Sequence, residues 1–155
     1  MKLESTTKVL HEKTRKIYEK QHQRIAGDDS VFNRISQSYS AEKLHVYAEW
    51  FAGKTVLDAG CGNFGALIVR LAELGCKKIH ACDIGTDWIP KLAEHLKNKG
   101  VPQSQFELQA GNVIELPYDD KSFDFVAING VLVHLKDMDE IERGFAEGVR
   151  VCKTG

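Results

Sequence analysis

The sequence predicts an α/β domain built on a parallel, doubly wound sheet, and three observations carry that expectation. Short apolar runs ending in an acid, at residues 55–58 and 78–83, alternate with segments whose apolar residues recur every three to four positions. A turn with glycines at 60, 62 and 65 joins the first run to its helix, as a tight strand-to-helix connection requires. Strands that alternate with helices run parallel, because each crossover returns the chain to the same end of the sheet. At 155 residues, 43% hydrophobic and 28% charged, the chain has the length and composition for one packed core.

In order from the N-terminus, residues 3–25 lack Gly and Pro and set Leu3, Leu10 and Ile17 seven apart, with Tyr18 and Ile25 also seven apart. That spacing predicts a helix with one narrow apolar stripe, lying across the main domain or pairing with a copy of itself. Residues 1–25 carry seven Lys or Arg against three Glu on a chain of net charge −1, so a basic arm precedes an acidic body. Such an arm is a solvated helix face first, and an attraction for an anionic substrate or nucleic acid second. The near-zero net charge argues against a polyanion as the partner of the whole chain.

The Gly27-Asp-Asp-Ser30 stretch breaks this helix, which separates residues 1–28, a lid or pairing helix, from a core domain at 40–155. A second helix starts at Ser40 as N-cap and buries Leu44, Tyr47 and Phe51 before Gly53. The first strand, 55–58, leads to a helix at 65–74 with Leu67, Leu71 and Leu74 inward and Gly75 as its stop. Strand two, 78–83, is followed by a helix capped by Asp87, with Pro90 tolerated in its first turn and Ile89, Leu92 and Leu96 inward. Strands three and four are expected at 106–110 and 123–129. The last helix opens with Asp137 and Glu140 in capping-box spacing and places Met138, Ile141, Phe145, Val149 and Cys152 at helical intervals.

The four cysteines, at 61, 76, 82 and 152, form no CxxC pair and no metal-ligand spacing, and three sit in apolar stretches. No apolar run approaches the length of a membrane span and none reads as a signal peptide. A reduced, cytoplasmic protein without a metal is the expectation.

Gly60-Cys-Gly-Asn-Phe-Gly65 matches GxGxxG, and Asp83 lies 18 residues beyond Gly65. A dinucleotide site of the Rossmann type has that arrangement, with the second acid on the ribose hydroxyls, so a nicotinamide-dependent dehydrogenase is one reading. Asp58 opposes it. An acid at the tip of strand one would repel a pyrophosphate and suits a ligand carrying a positive amino group.

Val56-Leu-Asp-Ala-Gly-Cys-Gly62, Ala81-Cys-Asp-Ile84, Gly111-Asn-Val113 and Leu116-Pro-Tyr-Asp-Asp-Lys-Ser-Phe-Asp-Phe-Val126 together resemble class I S-adenosylmethionine-dependent methyltransferases, and among them those acting on small molecules and quinones. The resemblance covers residues 40–155. It implies a Rossmann-like sheet of order 3-2-1-4 and S-adenosylmethionine as cofactor, with S-adenosylhomocysteine as product. Asp58 and the Gly60-Cys61-Gly62 turn would hold the methionine part, Asp58 through its amino group. Asp83 would accept both ribose hydroxyls, Ile84 would pack on the adenine, and Asn112 would accept from the adenine amino group where the family usually has Asp. Val113 would lie at the adenine edge, and Asn129 would border the sulfonium and the acceptor.

The sulfonium already activates the methyl group, so the enzyme has mainly to align the acceptor and exclude water. Where the acceptor must lose a proton, His134 is the candidate base, near where the family often has a His. Tyr18, His22 and Tyr39 are candidates to reach the site from the N-terminal lid.

The sequence departs from the family twice. Phe64 stands where the family more often has a glycine, which alters the shape of the turn. The chain also ends, at Val151-Cys-Lys-Thr-Gly155, before the family's fifth strand, so strand four is expected as an exposed edge. A truncated piece, or a second copy or partner chain covering that edge, is the corresponding expectation, and much of the acceptor pocket would then lie outside this chain. The functions weighed are methyl transfer to a small-molecule acceptor, a non-catalytic S-adenosylmethionine-binding module that needs another chain, an RNA methyltransferase and a dehydrogenase domain. No Asn-Pro-Pro-Tyr-like run follows strand four, so nucleic acid is not the expected acceptor.

Overall fold

Four strands, β1 (Thr55–Ala59), β2 (Lys78–Asp83), β3 (Phe106–Ala110) and β4 (Phe125–Ala127), form one sheet in the order β3-β2-β1-β4. All three pairings are parallel, with Val56 opposite Ile79 and Phe125, and Ile79 opposite Phe106. The computed structural model describes residues 12–13, 15–17, 19–20, 28–44, 46–85 and 87–153. Its helices are α1 (Asp29–Gln37), α2 (Ala41–Leu44), α3 (Ala66–Glu73), α4 (Ile89–Asn98) and α5 (Met138–Val151), with short 3-10 turns between.

The chain winds outward from β1 through α3, β2 and α4 to β3, then returns past β1 to lay down β4. The order therefore reverses between β1 and β4, and in open α/β sheets the crevice outside the strand ends at that reversal is where ligands bind. Strand alternation divides the core in two. Val56, Ile79, Ala81 and Phe106 meet Ile68 and Leu71 of α3, Leu92 and Leu96 of α4, and Phe32 of α1. Leu57, Ala59 and Cys82, on the other face, meet Val113, Ile114, Leu116, Phe123 and Val151. Leu57, Ile68, Ile79 and Leu96 are fully buried, each worth about 2 kcal/mol of transfer free energy.

Helix α1 was not expected. Asp28 begins it, its carboxylate accepting from the N–H groups of Ser30 and Val31. Phe32 is buried, stands edge-on to His95 of α4, and lies under the Lys99 ammonium at 4.5 Å. Lys99 also pairs with Asp29 at 2.7 Å, so both ends of that contact tie α1 to α4. Asp28, within the stretch read as a break, is thus also the cap of a following helix, and the Phe32, Ile35, Tyr39 spacing is the signal that could have shown it.

Several other expectations are corrected. The helix expected from Ser40 to Gly53 splits into α2, where Ser40 Oγ does accept from Lys43 N, and a 3-10 turn at Ala48–Trp50. Phe51 is buried against Phe125, but Tyr47 is 62% exposed. Helix α4 is preceded by Trp88 with no side-chain cap bond, so Asp87 does not cap it; Pro90 does lie in the first turn. Strand β4 is three residues rather than seven, because it pairs only with the three-residue segment 56–58 of β1; Phe123 makes a lone bridge to Cys152 instead.

Helix α5 forms where the sequence places it, but its apolar stripe is not its packed face. Asp137 caps the helix through Glu140 N, and the Glu140 carboxylate reaches back to accept from Lys136 N. Met138, Phe145 and Val149 are exposed, and Gly144, Gly148 and Val151 face inward. Of the N-terminal stripe, Ile17 is 64% exposed in a helical stretch, while Leu3, Leu10, Tyr18, His22 and Ile25, with the side chain of Leu44, lie outside what is described.

Candidate functional site

The glycine turn takes its shape from backbone that only glycine adopts easily. Gly60, Gly62 and Gly65 have φ of +90°, +59° and +60°. At Gly60 a Cβ would also sit 1.9 Å from Val131 Cγ2, so no side chain fits there. The donors of this turn are already committed. The N–H groups of Gly60 and Cys61 both donate to Cys82 O, at 2.7 and 3.1 Å, and Gly62 N donates to Asp83 Oδ2 at 3.0 Å. A pyrophosphate cradle needs such N–H groups free and aimed at the ligand. This turn spends them inside the protein.

Above the turn lies a cavity of about 140 Å³, room for an amino-acid-sized group rather than a whole nucleoside conjugate. Asp58, Gly60, Cys61, Gly62 and Asn129 line its strand side; Ile35, Tyr39, Phe64 and Leu67 line its helix side. Asp58, next to last in β1, is only 4% exposed. Burial, and secondarily the neighbouring Asp83 carboxylate, raise its pKa to about 7. A cation entering the cavity would find an acid whose ionisation it alone would favour. The Cys61 thiol is pushed well above its ordinary range, first by burial and then by Asp58, and donates weakly to Gly62 O.

Tyr39, which follows α1, closes the cavity from the lid side. Asn129 Nδ2 donates to its hydroxyl, joining the segment after α1 to the residues just beyond β4 across 90 residues of sequence. Burial, then the charge of Asp58, raise the Tyr39 phenol's pKa, so it stays protonated in the ordinary range. Ile35, Phe64 and Leu67 were not singled out as lining residues from sequence; α1 had gone unread, and without it nothing placed Ile35 near the glycines.

The other expected residues sit along the rim. Asp83 Oδ1 also accepts from Gly85 N at 3.4 Å, and Ile84 is half-buried beside it. Asn112 Oδ1 accepts from Ile114 N at 3.2 Å, which leaves it a second lone pair. The Val113 side chain is buried toward Gly144 of α5, so its backbone is what can border a ligand. His134 is exposed on the 3-10 turn Leu132–His134 and does not line the cavity. Among the described residues no group of three or more His, Cys, Asp and Glu could hold a metal ion, and no helix is long and apolar enough to cross a membrane.

Residues 57–155 match the family model described as a methyltransferase domain. The demethylmenaquinone methyltransferase of Listeria monocytogenes is 31% identical over 142 residues, covering 81% of this chain and 57% of its own length. The 2-phytyl-1,4-naphtoquinone methyltransferase of Nostoc punctiforme is 32% identical over 145 residues, covering 81% and 60%. The chain thus spans somewhat over half the length of these two curated relatives. Among solved structures, a SAM-dependent methyltransferase from Methanosarcina mazei superposes with a TM-score of 0.58 at 30% identity, covering 66% of this chain and 49% of that one. Phosphoethanolamine N-methyltransferase 1 of Haemonchus contortus gives a TM-score of 0.74 at 22% identity over 95% of this chain and 31% of that one, which shows the shared fold. Sheet order, the acid before the glycine turn and the family match agree, and the chain belongs to the class I S-adenosylmethionine-dependent methyltransferases.

Proposed function

We propose that this chain forms the cofactor-holding part of an enzyme that transfers a methyl group from S-adenosylmethionine to a small-molecule acceptor. The buried Asp58 carboxylate facing an amino-acid-sized cavity carries the reading. It suits the ammonium of a methionine moiety and is unsuited to a pyrophosphate. Bound there, S-adenosylmethionine supplies an electrophilic methyl group on a sulfonium.

The chain's own residues hold and orient. Asp58 pairs with the ammonium, while the first turn of α3, which has no side-chain cap at Gly65, offers N–H groups to the carboxylate. Asp83, held by Gly62 and Gly85, accepts the ribose hydroxyls at the tip of β2. Ile84, Asn112 and the backbone of Val113 border the adenine. Tyr39 and Asn129 close over the methionine end and exclude water from it. His134, exposed and outside the cavity, is the group that would take a proton from an acceptor hydroxyl. A quinol-type acceptor is the first to assay, since relatives are named for quinones.

The open edge of β4 supports a second reading, in which activity needs further polypeptide, a second copy or a partner chain, laid along that edge. The exposed Met138, Phe145 and Val149 of α5 support the same reading.

Parallel calorimetric titrations with S-adenosylhomocysteine and NAD test the ligand. Heat with S-adenosylhomocysteine alone is expected; heat with NAD alone would overturn the reading. The lid contact has its own test. Tyr39→Phe and Asn129→Ala should each weaken S-adenosylhomocysteine about three- to tenfold, the worth of one hydrogen bond. The double variant should be no weaker than either, because both changes remove the same bond. Additive losses would show that the two groups act separately.

A further inference from the structure

The connection from β3 to β4 carries Asn112 and Val113, contains no helix, and runs from residue 111 to 124. Its own backbone ties are short-range, one isolated bridge between Asn112 and Glu115 and Tyr118 N on Leu116 O, and none of them anchors the stretch around Leu116 to the rest of the fold. Val113, Ile114 and Leu116 are buried beneath it, but apolar contacts are non-directional and leave the backbone free to slide. Helix α5 supplies the directional contacts. Leu116 N donates to Glu147 Oε2 at 2.7 Å. Arg150 spreads its guanidinium over the same stretch: Nη2 donates to Leu116 O at 3.1 Å and Nη1 to Tyr118 O at 2.9 Å. The same guanidinium grips Glu147 bidentately, Nε to Oε1 at 2.7 Å and Nη2 to Oε2 at 2.8 Å, and reaches Asp120 at 2.7 Å. One planar fork therefore locks the loop's carbonyls and the carboxylate that holds its N–H, a geometry a lysine point charge cannot reproduce.

We propose that Arg150 and Glu147 are positioning residues that fix the register of the 111–118 loop and thereby set the site's preference for adenine. The proposal rests on the cofactor reading above. Neither side chain need touch the cofactor. Their effect passes through the backbone of Leu116 to Asn112, whose side chain already bonds Ile114 N and whose carbonyl accepts from Glu115 N. A loop freed at Leu116 keeps its apolar anchors but no longer presents the Asn112 amide at one fixed height above β3.

The test compares S-adenosylhomocysteine with S-ribosylhomocysteine, which keeps the amino acid and ribose and lacks adenine, by competition binding to wild type, Arg150→Lys and Glu147→Gln. The wild type should prefer the adenine-bearing ligand. Each variant should shrink that preference about five- to tenfold, with S-ribosylhomocysteine affinity little changed. Amide exchange should quicken at Leu116 in each variant and stay slow in β1. Glu147→Gln keeps an acceptor for Leu116 N and serves if Arg150→Lys fails to fold. Equal losses for both ligands, or a preference retained in the variants, would overturn the inference alone. A wild type that binds neither ligand would overturn the cofactor reading and this inference with it.

Discussion

Asp58→Asn is expected to lower S-adenosylhomocysteine affinity at least about a hundredfold and to raise the thermal midpoint of the ligand-free protein at pH 8. The first effect follows from charge. A carboxylate–ammonium pair in a water-poor cavity, once broken, leaves the ammonium desolvated without its closest anion, which costs about 3 kcal/mol or more. The second follows from the raised pKa, about 7 against an ordinary aspartate value of 3.8. An acid whose folded pKa lies above its unfolded one binds its proton more tightly when folded. Its protonated form therefore supports the fold fully below about pH 4, and that support fades as pH rises to 7. Above pH 7 the ligand-free protein bears a cost on the order of 4 kcal/mol for an ionised, buried Asp58. Asparagine has no proton to lose and escapes it. The gain in thermal midpoint should thus be several degrees at pH 8 and close to nothing at pH 4.

The wild type makes the same point through binding. Since the ammonium needs an ionised partner, affinity should fall about tenfold per pH unit below 7, with a proton released on binding near pH 6. Calorimetry in buffers of different ionisation enthalpy reads that proton directly. Wild-type affinity in Asp58→Asn would sink the ammonium role. A stability difference independent of pH would sink the burial argument.

What could be read from the sequence follows the range of the forces involved. Strands β2 and β3 were legible to the residue, because each is a short run between sharp breaks that pairs along its whole length within the sheet. Asp58 and the glycine turn were legible as a unit because their chemistry is local: an acid, a tight turn and a helix start within ten residues. The lid side of the cavity was not. Ile35 and Tyr39 reach it only because Phe32 docks on His95 and Lys99, far along the chain, and no local pattern names that partner. Strand β4 was overread, since its apolar run 123–129 promised more ladder than a single neighbour offers.

The packed face of helix α5 was not legible for a related reason, and it supports the second large expectation. Periodicity marks the face with the largest apolar side chains, but close packing can prefer the face with none. A Cβ at Gly148 would lie 2.7 Å from Ile128 Cδ1 and 3.9 Å from Val126 Cγ1, and one at Gly144 would lie 3.1 Å from Leu132 Cδ2. The helix backbone therefore rests almost directly on the end of β4 and the turn after it. Gly148→Ala meets only the tip of a flexible side chain, and the roughly 1 kcal/mol gained in helix propensity should offset that strain, leaving stability nearly unchanged. Gly148→Val adds two branched methyls that Ile128 cannot clear and should cost about 2–3 kcal/mol in urea unfolding. Because Ile128 immediately precedes Asn129, the same wedge should displace the Tyr39 contact and weaken S-adenosylhomocysteine several-fold in the folded fraction. Phe145→Ser, on the exposed face, should stay within about 0.5 kcal/mol of wild type in this chain. If Phe145→Ser proves costlier than Gly148→Val, the apolar stripe is the packed face, and α5 must be rotated about its axis from the orientation described.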